Sequence, residues 1–397
     1  MIVAALRSIL LAVAARDVAA SEGQSGWGWR RSTSTRTSTT TTTTVTTTTT
    51  TTTKGCTERS GENYDLKWEA RGQGFFDSWN FLEWDANNGA AEYLNREQSF
   101  AERVVQADDT HSILRVGGRG AHLKRKTVKI QTQKSWKYFL AAIRLTHVPF
   151  GCGLWPAFWT RDSSMSWPNG GELDILEYAN DIPSQTSLHV GEPNRCQLDA
   201  VETSGPGCPA MPDMNHMDYD CVTRYPDRLG CGPNKLPLQS PAEWNQHPVT
   251  FVVEWTEDFI KIWRIPDYAL PADLTDNWPQ PNEWDRWLTS YYPLRRSGDK
   301  CPNPENVMAP QHLVLNIGLC GDWSGKIWDK SPTCLGLNSP AQGCRAVDPL
   351  KDDGNMENDC CTQYVWDADG SHGTDAFLQE HGFFNISWVK VFQRRDG

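Results

Sequence analysis

This sequence predicts an all-β fold, a sandwich or a barrel, and three observations lead there. Short segments alternate apolar and polar residues in the two-residue period of a strand. Turn residues separate these segments, and no stretch sustains the longer period of a helix. Lys126 to Thr132 (KTVKIQT) reads as one such strand and Phe384 to Gln393 (FNISWVKVFQ) as another. Thr250 to Ile265 (TFVVEWTEDFIKIWRI) reads as two strands joined by a hairpin turn at Glu257-Asp258. Many short strands in one large unit are the mark of sheet-on-sheet packing. The Gly-, Pro- and Cys-rich stretch from Glu192 to Pro241 then reads as long surface loops pinned by disulfides, not as a further domain.

Composition narrows the function classes. The 397 residues carry a formal charge of −11 with no basic block, so the clustered Lys/Arg footprint of a nucleic-acid partner is missing. The mean hydropathy of −0.57 excludes a polytopic membrane protein. The 12 Cys have no paired CxxC elements with zinc spacing, which favours disulfides in an oxidising compartment over metal binding. The 19 Trp are a large number for a chain of this length. Core packing accounts for many of them, and a sugar-binding cleft is one place where exposed indoles are useful.

The N-terminus fits export. Arg7 precedes the apolar stretch Ile9 to Ala15, and Ala19-Ala20-Ser21 offers small residues for cleavage, so residues 1–20 read as a signal peptide. An uncleaved anchor or a different translation start is the alternative. The stretch is too short to span a bilayer as a helix. Thr33 to Thr53 is nearly pure Thr and cannot repay its ordering entropy by burying apolar surface. Residues 21–55 therefore read as an extended spacer, and 56–397 as a single folded unit, expected to be secreted and monomeric.

The chemistry is concentrated in Trp167 to Asn180, WPNGGELDILEYAN. On a strand, Glu172 and Asp174 share a face while Leu173 points to the core. Strict alternation would turn Glu177 the other way. A β-bulge at Ile175-Leu176 absorbs one residue, buries both apolar side chains and returns Glu177 to the face of the other carboxylates. The two glutamate backbones are then roughly 13 Å apart. Inward-leaning side chains on a concave sheet can close that to the roughly 5–5.5 Å of retaining glycoside hydrolysis. Asp174 between them raises its neighbours' affinity for protons, so that one Glu stays a general acid while the other is ionised. Adjacent like charges cost stability, and Gly170-Gly171 permits close approach of a ligand. Alternating acidic residues on a solvated strand face are the bland alternative.

The segment resembles the active-site signature of glycoside hydrolase family 16, in its fungal-type endo-1,3(4)-β-glucanase (laminarinase-like) branch. Further stretches match in family order over roughly residues 60 to 395: Phe75-Phe76-Asp77 with Trp79-Asn80-Phe81, Gly151 to Trp159 (GCGLWPAFW), Thr186 to His189 (TSLH), Glu254-Trp255-Thr256 with Ile260 to Trp263, Leu319 to Trp323 (LCGDW), and Val389 to Phe392. The resemblance implies a β-jelly-roll sandwich with an open cleft across its concave sheet. It implies Glu172 as nucleophile, Glu177 as acid/base and Asp174 as the assisting carboxylate. Trp159, Trp167 and Trp323 match positions lining the sugar subsites, where indole faces suit the apolar faces of glucosyl rings. Trp155 is expected to pack in the core. His189, twelve residues after Glu177 on the next strand, is expected to reach the acid/base or a sugar.

The implied function is hydrolysis of β-1,3- or mixed β-1,3/1,4-glucan by double displacement, with a polysaccharide as partner and no organic cofactor. A structural calcium is weakly suggested by Asp367-Ala368-Asp369-Gly370, which lacks the later ligands of an EF-hand. Three alternatives stay open: transglycosylation with the same residues, glucan binding without catalysis, and a different polysaccharide such as a galactan. The chain departs from the family pattern at Pro241 to His247, and its loops around Asp213 to Asp220 and Arg345 to Asp359 are longer. These departures bear on substrate preference. Cys360 and Cys361 are expected to bond to different partners, and Asn385-Ile386-Ser387 is a glycosylation sequon whose strand burial opposes its use.

Overall fold

The computed structural model describes residues 57–199, 217–225, 228–233, 241–345 and 358–395. The signal peptide, the Thr-rich spacer, Cys56, Cys208 and most of the 345–359 loop lie outside these residues.

Two antiparallel sheets form a sandwich. With strands numbered along the chain, one sheet runs β16 (Leu288–Tyr292), β15 (Ile260–Pro266), β14 (Val249–Trp255), β8 (Phe139–His147), β18 (Phe383–Arg394), β5 (Ser112–Arg115), β4 (Val105–Ala107). β18 is long enough to pair with β5 through its first residues and with β1 (Tyr64–Arg71) through its last. The second sheet runs β11 (Gln185–His189), β10 (Glu172–Glu177), β9 (Leu154–Arg161), β17 (His312–Leu319), β7 (Lys129–Thr132), β2 (Trp79–Phe81). Two small pairs complete the strands, β3 (Ala91–Tyr93) with β6 (Arg125–Thr127) and β12 (Met217–Asp218) with β13 (Gly232–Pro233). Among the described residues no helix is longer than the eight residues of Thr374–His381, as the missing helical period requires. None is long and apolar enough to cross a membrane.

The expected hairpin at Glu257-Asp258 joins β14 and β15. The segment Lys126 to Thr132 is not one strand. It breaks at the fully buried Val128 into β6 and β7, which pair in different sheets.

Between the sheets, one face of the second sheet contributes Leu173, Ile175, Leu176, Phe158, Leu188, Leu313, Leu315 and Ile317, each no more than 1% exposed. Ile175 lines the same small internal space as Phe251 of β14, Thr186 and Trp244, so it faces the opposite sheet. Fully burying one such side chain contributes about 1.5–3 kcal/mol. The other face of this sheet is left for function.

Among the described residues, five disulfides fasten the loops to this frame: Cys152–Cys334, Cys196–Cys301, Cys221–Cys231, Cys320–Cys361 and Cys344–Cys360. Adjacent Cys360 and Cys361 do take different partners. The Asp367–Gly370 stretch is organised by protein groups. Asp367 is buried, and its two carboxylate oxygens accept backbone N–H groups from His372 and Thr374.

Cys152–Cys334 and Cys320–Cys361 both anchor the segment that follows β17. Replacing Cys320 and Cys361 together by Ala is expected to lower stability by about 2–5 kcal/mol, read from urea unfolding under oxidising conditions.

Candidate active site

The register around β10 shows how three carboxylates come to share a face. Against β9, Asp174 lies opposite Trp159 and Leu176 opposite Phe158, so Ile175 is an extra residue with no partner. Against β11, the register shifts by one residue between Asp174 and Glu177. This is the expected bulge, and it buries Ile175 and Leu176 to 1% and 0% exposure while Glu172, Asp174 and Glu177 line one cleft. Gly171, just before the strand, has φ of +75°, and a Cβ there would lie 2.7 Å from the Val307 carbonyl. The protein's own chain thus requires glycine here, and Gly171 lines the cleft together with Gly170.

The cleft has a volume of about 500 Å³. Alternate residues of β9 (Trp155, Ala157, Trp159, Arg161) form part of its floor, with Lys129 from β7 and Asn316 from β17. Trp159, Trp167, His189 and Trp323, the residues expected to meet substrate, all line it. Trp159 Nε1 donates to Asn316 Oδ1 at 2.7 Å, which fixes the indole plane. Trp167 bonds the Glu172 side chain and lies 5.9 Å from the His189 ring.

Two expectations need correction. Trp155 is not a core residue. It stands on the cleft face, donates Nε1–H to Glu177 Oε1 at 2.7 Å, and meets Trp323 edge-on at 5.6 Å. Alternation along β9 from Trp159 puts it on that face, a signal present in the sequence. His189 bonds Asp174, not Glu177. Its Nε2 lies 3.2 Å from Asp174 Oδ2 and 3.0 Å from Ser187 Oγ, and Nδ1 lies 2.9 Å from Thr223 Oγ1. The reason is register: His189 stands opposite Glu172 across the β10–β11 pair, one end of the strand away from Glu177.

Several lining residues carried no recognisable motif. Lys129 is 3% exposed, donates to the Trp84 carbonyl at 2.8 Å, and sits 4.0 Å and 4.2 Å from the ring centres of Trp84 and Tyr93. Burial brings its ammonium down to about 8. The Arg161 guanidinium lies 5.0 Å from the same Trp84 ring.

Burial is the main force on the two glutamates. It pushes Glu172 well above the usual carboxylate range, and the negative charge of Asp174 adds to it. The Trp167 bond, Arg161 and Lys129 pull Glu172 back down. Glu177 is raised by burial first, then by Asp174 and Glu172, and is opposed by the Trp155 hydrogen bond and by His189. Glu172, Asp174 and His189 each present a ligand atom within 4.8 Å of the others, a three-donor set that a cation could use. Cys320, Asp359 and Cys361 also cluster, but the two sulfurs are bonded to each other in one disulfide.

A raised carboxyl binds more protons folded than unfolded, so its contribution to stability falls as pH climbs from the ordinary carboxylate range through the raised value. Glu177→Gln keeps an acceptor for Trp155 and removes the proton uptake that folding demands of Glu177 at neutral pH. Its melting temperature is expected to exceed that of the unmodified protein by a few degrees at neutral pH. Calorimetry should show the difference vanishing under acid conditions below the ordinary carboxylate range.

The match to known proteins now has a geometric frame. A model of the XgeA-like catalytic domain of family GH16 matches residues 79–349. A probable glycosidase of Schizosaccharomyces pombe is 28% identical over 282 residues, 69% of this chain and 63% of the relative. An endo-1,3(4)-beta-glucanase of Arthroderma benhamiae is 24% identical over 353 residues, 85% of this chain and 66% of the relative. The chain thus spans less than two thirds of either curated relative. Laminarinase 16A of Phanerochaete chrysosporium, solved with two beta-glucans in its donor and acceptor sites, superposes with a TM-score of 0.62 at 24% identity, covering 83% of this chain and 99% of that one. An elongating family 16 beta-1,3-glucosyltransferase gives 0.64 at 21%, covering 83% and 100%. At these identities the two structures speak for the fold, and the family rests on the model match: the chain belongs to glycoside hydrolase family 16, in its XgeA-like group.

Proposed function

We propose that this protein is a secreted retaining endo-β-glucanase that cleaves β-1,3- or mixed β-1,3/1,4-glucan, with Glu172 as nucleophile and Glu177 as acid/base. The observation that carries the reading is the unequal surroundings of two carboxyls on one strand. Glu172 has two cations and an indole N–H drawing it toward ionisation. Glu177 has a second carboxylate neighbour in Glu172, and no Lys or Arg is among the charges acting most strongly on it. Placed together, the pair settles with the charge on Glu172 and the proton on Glu177. Unequal partners of this kind are what a double displacement needs.

In the first step Glu172 attacks the anomeric carbon while Glu177 gives its proton to the departing glycosidic oxygen. In the second, Glu177 takes a proton from water, whose oxygen releases the sugar from Glu172. Asp174, held by His189, lies between the two, and its carboxylate favours the return of a proton to Glu177. No organic cofactor has a step to perform. Trp159, Trp167 and Trp323 supply flat apolar surfaces for glucosyl rings, a partner chemistry that suits an uncharged polysaccharide. The disulfides favour an oxidising, extracellular setting.

Transfer to a sugar acceptor is the second reading, favoured by the Trp155–Trp323 pair beside Glu177. Two indoles on the acid/base side offer a place for an acceptor sugar to compete with water.

Reducing-sugar release from laminarin and from mixed-linkage β-glucan tests both. The unmodified protein is expected to release sugar, and Glu172→Ala to be slower by roughly 10⁴-fold or more. Longer oligosaccharides accumulating from a laminari-oligosaccharide would place transfer ahead of hydrolysis. Binding of both glucans without any product would defeat the enzymatic reading. The rate on the better substrate should fall at acid pH as Glu172 protonates and at alkaline pH as Glu177 loses its proton. Trp155→Phe removes a bond that favours ionised Glu177, so its alkaline limb is expected at higher pH.

A further inference from the structure

The cleft carries an indole that the reaction itself does not use. Trp84 lies in the loop after β2, lines the cleft and is 44% exposed. Leaving that much apolar surface in water contributes nothing to folding. The loop nevertheless holds it firmly. Leu82 N–H donates to the Lys129 carbonyl at 2.9 Å, and the Asp85 carboxylate accepts the N–H groups of Asn87 and Gly89 at 2.9 and 3.0 Å. Gly89 passes so close to the end of β17 that a Cβ there would collide with the Leu319 carbonyl. The Asn87 carbonyl accepts Asp322 N–H at 2.9 Å, and the Asp322 carboxylate is itself paired with Arg228 Nη1 at 2.8 Å.

The ring is clamped as well as the loop. Lys129 Nζ lies 4.0 Å from its centre while donating to the Trp84 carbonyl at 2.8 Å, and the Arg161 guanidinium lies 5.0 Å from the same ring. Lys129 stands on β7 and Arg161 on β9, with β17 between them. An indole that meets both side chains therefore lies over β17. Two strand spacings separate β17 from β10, roughly 10 Å. The cleft runs across the strands from His189 on β11 to Lys129 on β7, so it joins the carboxylates to this indole. A sugar stacked on Trp84 would be a different unit of the chain from the one that Glu172 reaches.

The clamp has a physical consequence for binding. Lys129 is nearly without contact to water, and its cation–π contacts with Trp84 and Tyr93 offset only part of that desolvation. In exchange, the indole is restricted to one orientation before any ligand arrives. A sugar that stacks on a pre-set ring loses little further freedom to the ordering of its site. An indole face suits the apolar face of a β-glucosyl ring, the same chemistry that Trp159, Trp167 and Trp323 offer.

We infer that Trp84 is a further sugar platform, which extends the cleft toward β7 and makes the enzyme favour long glucan chains over short oligosaccharides. This rests on the glucanase reading and deepens it, since a cleft that holds units beyond the reacting one suits cleavage inside a chain. The test compares kcat/KM for laminariheptaose with that for laminaritriose, which is too short to reach Trp84 with a unit on each side of the bond that breaks. In Trp84→Ala the ratio of the two is expected to fall about tenfold, the size of one lost aromatic contact, with the loss appearing in KM for the heptaose. Trp84→Phe, which keeps a flat ring, should retain most of the ratio. Circular dichroism and melting curves show that each variant is folded. An unchanged ratio in folded Trp84→Ala overturns the inference and leaves the glucanase reading intact. If the unmodified protein cuts neither sugar, the glucanase reading fails, and calorimetric titration with laminariheptaose still decides the platform. Weaker binding by Trp84→Ala than by the unmodified protein supports it, and equal affinities or no binding by either overturn it.

Discussion

The site depends on one unpartnered residue in a strand. Ile175 has no counterpart on β9, and if the strand alternated regularly through it with no bulge, Glu177 would point into the sandwich while Leu176 faced the cleft. The bulge satisfies two demands together. Two consecutive apolar residues enter the core, and three acidic residues gather on the opposite face. Its cost is a local break in the ladder, and the buried Ile175 and Leu176 offset that cost through contacts with the facing sheet.

Much of the remaining site follows from that crowding. Three carboxylates on one short strand repel one another and are recessed from water. Each therefore needs a partner, and each has a different one: Trp167 bonds Glu172, His189 bonds Asp174 and Trp155 bonds Glu177. These partners come from β9, β11 and the loop before β10, which places the same aromatic rings around the cleft that a sugar would meet. The side chains that relieve the carboxylates also line the cleft, where the proposed function has them meet sugar. The folded state holds these charges at some cost in stability, a common feature of active sites.

The loops have a different logic. Among the described residues, disulfides join segments 182 and 105 positions apart as readily as segments 10 apart. They fix loops that have little regular backbone pairing of their own onto a frame that does. In this way Trp323, Asp322 and Arg228 hold their positions over the sheet without belonging to it.

Local pattern in the chain was enough to determine the all-β class, the β14–β15 hairpin, the bulge and the common face of Glu172, Asp174 and Glu177. Each rests on the two-residue period of a strand and on the need to bury neighbouring apolar residues. The same period placed Trp155 beside Trp159 on the cleft face, although a core position had been expected for it. Tertiary structure alone decided the rest. Whether His189 meets Asp174 or Glu177 depends on the register between β10 and β11. The break at Val128 reflects two sheets competing for one apolar segment. Lys129, Arg161, Arg228 and Asp322 are separated along the chain and share no motif, and they meet in the cleft because sheet order brings β7, β9, β11 and the end of β17 together. Strand period is a property of neighbours in sequence, whereas register, sheet order and loop anchoring are set by residues far apart in the chain.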